Sequence, residues 1–127
     1  MLKRFAMMFV CVAVALIAGS ASALTSCNLS GPYVAVFNVI TPSLVTVIGT
    51  FTFTPPVDCN SPGTVSIVTP SGSVSRVPYS VEGNELNIPL VRLQGLIGKT
   101  EGGVAEGFVF NGAGVNISFG GTALRSE

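Results

Sequence analysis

From Leu24 onward, apolar and polar residues alternate with period two over short stretches, and Gly or Pro interrupts almost every window of ten. Period-two order sends successive side chains to opposite faces of an extended chain, so it predicts strands and not helices. Tyr33 to Ile40 is rich in Val, Phe and Ile and is bounded by Ser30-Gly31-Pro32 and Thr41-Pro42-Ser43. Leu44 to Thr54 alternates most cleanly: Val45, Val47, Gly49, Phe51 and Phe53 share the face expected in the core, and the threonines the face expected in water. Gly49, in mid-strand, predicts a bulge or a sharp bend.

The same reading predicts Thr64–Thr69 with Val65 and Ile67 inward, and Ser73–Val81 with Val77, Tyr79 and Val81 alternating. Glu82-Gly83-Asn84 turns the chain into Glu85–Leu93, with Leu86, Ile88 and Leu90 on one face. Pro78 and Pro89 lack the amide hydrogen that a central ladder needs, which places this hairpin at an edge or gives it bulges. Leu96-Ile97 reads as a strand fragment and Lys99 to Gly103 as a loop. A final hairpin is expected around Asn111-Gly112-Ala113-Gly114, between Val104–Phe110 and Val115–Phe119. Seven to eight short strands with tight turns predict an all-β fold, a small antiparallel up-and-down barrel or a sandwich.

A different pattern precedes this domain. Lys3 and Arg4 lead into an unbroken apolar run of 14 residues, Phe5 to Ala18, followed by small residues ending in Ala21-Ser22-Ala23. That is the layout of a cleaved secretory signal peptide, 1–23, and the run is short for a bilayer span. Removing residues 1–23 from the 127 leaves 104, enough for a single secreted domain over 24–127. Cys11 leaves with the signal. Cys27 and Cys59 remain, and in an oxidising compartment they are expected to pair. The alternative is that Leu24-Thr25-Ser26-Cys27 acts as a lipobox, with cleavage before a lipidated Cys27 that anchors the protein to a membrane.

Charge narrows the partners. The domain keeps Arg76, Arg92, Lys99 and Arg125 against Asp58, Glu82, Glu85, Glu101, Glu106 and Glu127, a net of −2. Four scattered cations make no stripe for nucleic acid and no basic patch for an anionic membrane. Beyond the signal there is no apolar run long enough for a transmembrane helix.

Candidate chemistry is sparse. The chain has no histidine, which removes Ser-His-Asp and Cys-His machinery and the commonest zinc ligand. Lys99 lacks a recognisable serine partner, Glu82 and Glu85 read as turn residues, and Gly112-Ala113-Gly114 lies between strands and not ahead of a helix. The expectation is therefore a protein that is not an enzyme, with no cofactor and no metal. Glu106 is in phase with Phe108 and Phe110, and two readings follow: the hairpin's register shifts and Glu106 is exposed near a strand start, or it is an inward carboxylate paired with Arg76 or Arg92 beside a ligand cavity. Phe51, Phe53, Phe108, Phe110 and Phe119 are the candidate lining of that cavity, with Phe37 beside them. Asn28-Leu29-Ser30 and Asn116-Ile117-Ser118 match the N-glycosylation pattern, making Asn28 and Asn116 candidate acceptors.

Two end motifs carry a family likeness. Gly31-Pro32-Tyr33 opens the first strand and Gly121-Thr122-Ala123-Leu124-Arg125 closes the last. Together they resemble the ends of lipocalin-like (calycin) barrels, with Tyr where that superfamily usually carries Trp. The resemblance implies an up-and-down barrel whose closed end is sealed by Arg125 stacked on Tyr33, with a small apolar ligand inside. A barrel filled by its own side chains fits the sequence as well, and a monomer is expected ahead of an assembly. An N-terminal disulfide in an exported all-β chain is also similar to chaperone–usher pilin subunits, which implies the alternative of surface assembly or adhesion in the cell envelope.

Overall fold

The structure is a computed structural model that describes residues 23–41, 43–114 and 116–126. The expected signal segment up to Ser22, with Cys11, lies outside the described residues.

Eight strands close into one antiparallel barrel in up-and-down order: β1 (Gly31–Thr41), β2 (Val45–Thr54), β3 (Gly63–Thr69), β4 (Gly72–Glu82), β5 (Glu85–Ile88), β6 (Leu93–Ile97), then β9 (Gly107–Gly114) and β10 (Ile117–Arg125). Between β6 and β9 the chain inserts a two-stranded hairpin, β7 (Thr100–Glu101) with β8 (Val104–Ala105). Closure comes from β1, which pairs with β2 on one side and β10 on the other. A closed sheet leaves no edge strand, which a surface so poor in charge would otherwise expose to aggregation.

Alternation fixes the inside. Tyr33, Ala35 and Phe37 of β1 face Phe51 and Phe53 of β2, Val65 and Ile67 of β3, and Phe108 and Phe110 of β9, all of them buried. Rings stack through the middle: Phe37 on Phe51 (centroids 5.6 Å apart) and Phe51 on Phe53 (6.0 Å), with Phe108 edge-on to Phe51 (5.3 Å). Two inward positions had to be glycine. A Cβ at Gly49 would lie 2.8 Å from the Phe37 ring, and one at Gly121 would collide with the Val36 carbonyl oxygen. Gly49 therefore marks close packing: it sits opposite Ala35 in an unbroken register, and no bulge occurs there.

Several predicted boundaries move. Pro89–Val91 forms a short 3-10 turn that ends with Arg92 in the left-handed region (φ 53°), so β5 stops at Ile88 and Leu90 lies exposed, off the expected inward face. A strand through Pro89 would have carried the chain past the point where Leu93 starts β6. The hairpin of Pro78 is not an edge; it carries a bulge, where Ser75 and Arg76 of β4 oppose Ser66 of β3 and Arg76 takes φ 56°. The last turn is also displaced: β9 continues through Gly112 to Gly114, and Gly114 pairs with Ile117. Asn116 (φ 62°) supplies the left-handed residue this tight connection needs, so it sits in a turn and not on the outer face of a strand.

Candidate functional site

The two ends of the barrel are built differently. At the end where β1 begins, the segment before β1 folds across the opening as a 3-10 turn, Ser26–Asn28. Thr25 caps it: its hydroxyl accepts from Cys27 N (3.2 Å), and its own N–H donates to the Asn28 carboxamide (2.7 Å). Cys27 is bonded to Cys59 (S–S 2.04 Å), tying the turn to the β2–β3 loop and leaving no Cys27 thiol for a lipid. Beneath lie Leu29 and Ala105, both fully buried.

Two tyrosines complete this seal. The Tyr33 hydroxyl donates to the Ala105 carbonyl (2.6 Å), and the Tyr79 hydroxyl lies within reach of the carbonyls of Ser26 (2.6 Å) and Leu29 (3.2 Å). Burial pushes both hydroxyls above the ordinary tyrosine range; for Tyr33 the Ser30 backbone and the Arg125 charge partly oppose it. Gly31, in the left-handed region (φ 82°), turns the chain from the cap into β1. Arg125 pairs in register with Tyr33, but its side chain is exposed and the Tyr33 ring is packed by Phe53 and Phe108 in place of the stack that the end motifs implied. Arg125 acts there as a nearby charge. The hydroxyl-to-backbone bonds were not foreseeable, because their acceptors come from distant segments.

Glu106 lies apart from Arg76 and Arg92. It sits between β8 and β9 at the sealed end, and its carboxyl shares a hydrogen bond with Glu101. That bond and the Glu106 charge hold the Glu101 carboxyl above the usual range, with Arg125 weakly opposing. Of the two readings of Glu106, the structure follows the one near a strand start, with an acid pair on the rim in place of an inward ion pair. The reason is local: the inserted hairpin turns the chain at Glu106, so it does not follow Phe108 and Phe110 inward. Of the glycosylation candidates, Asn28 donates its amide to the Gly103 carbonyl (2.8 Å) as part of the cap, whereas Asn116 is exposed.

At the opposite end nothing comparable crosses the opening among the described residues. Inward side chains from five strands and the Pro89–Val91 turn converge there on a recess of about 220 Å³, with Phe37, Ile67, Val74, Val91, Leu93 and Phe119 as its apolar wall. Thr69, Ser71 and Ser73 of the β3–β4 hairpin add hydroxyls at its rim, where Thr69 Oγ1 donates to the Gly72 carbonyl (3.0 Å). No charged side chain lines it. Of the candidate cavity residues, Phe119 reaches this mouth; Phe51, Phe53, Phe108 and Phe110 pack ring to ring below it and fill the interior there. Ile67, Val74, Val91 and Leu93 were missed as site residues. Their signal was an inward phase near the ends of strands, which takes on meaning once strand order shows which ends meet.

Among the described residues no group of three or more Cys, Asp or Glu side chains could hold a metal ion, and no helix is long and apolar enough to cross a membrane. No protein-family model, curated protein or solved structure matches this chain.

Proposed function

We propose that this protein is an exported, non-enzymatic barrel whose open mouth takes a small, neutral, apolar group. The observation that carries this reading is the asymmetry of the ends: one is tied off by a disulfide-stapled cap and two tyrosines, and the other presents an uncharged apolar recess. Eight strands give an interior just wide enough for side chains or one small ligand. Here the aromatic stack fills the lower part and leaves about 220 Å³ above it. That is below the usual range for drug-sized ligands, so the occupant is a single ring or the end of an apolar chain. The closed up-and-down barrel agrees with the resemblance to lipocalin-like barrels and supports the same reading, although Arg125 does not stack on Tyr33. The disulfide supports an oxidising location outside the cytoplasm.

Uptake of a small fluorescent aromatic probe tests it. Val91→Asp, which puts a charge in the half-buried wall, should lower probe affinity at least about tenfold, a difference of about 1.4 kcal/mol. Equal uptake by the variant, or none by the native protein, would count against mouth binding.

The outer wall favours a second reading, surface assembly. Leu96, Val109, Thr122, Val36 and Ile48 form one cross-strand row over β6, β9, β10, β1 and β2, with Val34 and Leu124 paired beside it. All are exposed, and the outward positions of these strand segments carry no charge. Contiguous apolar surface of this kind marks interaction sites. Under this reading light scattering gives a mass that rises with concentration and is returned to monomer by Val109→Lys. A concentration-independent monomer contradicts it.

A further inference from the structure

A second groove, on the outer wall near the mouth, has a different chemistry. Asn87 of β5 pairs in register with Gln94 of β6, and Gln94 with Asn111 of β9, so three carboxamides stand in one row across three strands. Neighbouring strands are about 4.8 Å apart. The row lies in a groove of about 590 Å³ that is also lined by Arg92 and Phe119. Arg92 is held in place by its backbone: its N–H donates to the Pro89 carbonyl (3.0 Å), and its carbonyl accepts from Ala113 N (3.4 Å). Gly112 leaves the space that the Phe119 ring occupies, since a Cβ there would collide with it. Asn87, Arg92, Gln94 and Asn111 are all exposed, so the three carboxamides and the guanidinium are accessible from solvent.

We infer that this groove binds a short saccharide bearing a carboxylate, of the uronic-acid type. Each carboxamide offers both a donor and an acceptor, which is what a run of sugar hydroxyls requires. Phe119, which also borders the mouth recess, gives the groove an apolar edge that suits the C–H side of a sugar ring. Arg92 matches a carboxylate with two parallel hydrogen bonds and is the one charged side chain lining the groove. Glu85 stands two residues before Asn87 on β5, towards the sealed end, and faces the adjoining depression. The carboxylate is therefore directed to the Arg92 end and the hydroxyls along the amide row. A peptide strand finds no partner here because the barrel has no open edge, and one guanidinium is too little for nucleic acid. This inference does not depend on ligand binding at the mouth.

The test uses the intact domain labelled with nitrogen-15, titrated with trigalacturonic acid and with a neutral galactose trisaccharide. The side-chain amide resonances of Asn87, Gln94 and Asn111 should shift saturably with the acid, and the neutral sugar should bind at least about tenfold more weakly. Arg92→Asn, which removes the charge at a position where Asn tolerates the left-handed backbone, should reduce acid binding to the neutral level. Gln94→Glu, at an exposed site, should weaken it through repulsion. The inference is overturned if no saturable shift occurs up to about 10 mM. It is equally overturned if both sugars bind alike and Arg92→Asn changes nothing, or if the shifts map to Lys99 and Arg125 instead.

Discussion

Tyr33 and Tyr79 are the two tyrosines of the chain, and both bury their rings with the hydroxyls turned to backbone carbonyls of the cap. Tyr79→Phe would leave the Ser26 and Leu29 carbonyls buried without that donor, at a cost of about 1–3 kcal/mol, measurable by urea unfolding. Because both hydroxyls ionise less readily in the fold than at the ordinary value of 10.0, their contribution to stability is full below that pH and declines as pH rises above it. Absorbance at 295 nm should therefore report tyrosinate forming together with loss of the β signal in circular dichroism; ionisation of both residues near 10 with the fold intact would contradict this. On the rim, Glu106→Gln should bring the Glu101 carboxyl back towards its ordinary 4.5, read by carbon NMR titration. Since Glu101 is raised in the fold, its contribution favours the folded state in mild acid and fades as pH climbs through the folded value. Tyr33 was legible in sequence as the start of a strand next to Gly31. Its acceptor, Ala105, was not, because it lies 72 residues away and no local pattern shows that the start of the Val104–Phe110 segment crosses the barrel end where β1 begins.

Strands whose alternation is uninterrupted, β2 and β3, were legible almost to the residue. Elements next to a left-handed residue were not: the Pro89–Val91 turn, closed by Arg92, ends β5 early, and Asn116 moves the last turn. Arginine gives no sign of a positive φ, and asparagine gives a weaker one than glycine. At Gly49 the expected bulge is absent; the need was room beside the Val68 carbonyl of the neighbouring strand and the Phe37 ring. The same packing logic applies to Gly121, whose Cβ would collide with the Val36 carbonyl oxygen on the neighbouring strand. Gly121→Ala should cost at least about 2 kcal/mol, seen as a lowered urea midpoint, because backbone cannot move aside as a side chain can. The cap depends on the Cys27–Cys59 bond, with a sequence separation of 32. Reduction, or Cys27→Ser with Cys59→Ser, should lower stability by about 3–4 kcal/mol. Hydrogen exchange should then speed up first at Leu24, whose N–H donates to the Gly83 carbonyl, and at Cys27.

Across the whole molecule, the choice between barrel and sandwich could not be read from local pattern, since both bury one face of every strand. Pairing of β1 with β10 decides it, through contacts between the two ends of the domain. That pairing also makes the two ends unlike, by bringing the cap segment to one end and the strand termini carrying Val74, Leu93 and Phe119 to the other. The central claim is that binding occurs at the open mouth above a filled core. Methyl-resolved NMR during titration with toluene tests it most directly. Saturable shifts are expected at Ile67, Val74, Val91 and Leu93, with Leu29 and Leu86 beneath unmoved. Shifts at Leu29 and Leu86, or no saturable shift at the mouth, would contradict it.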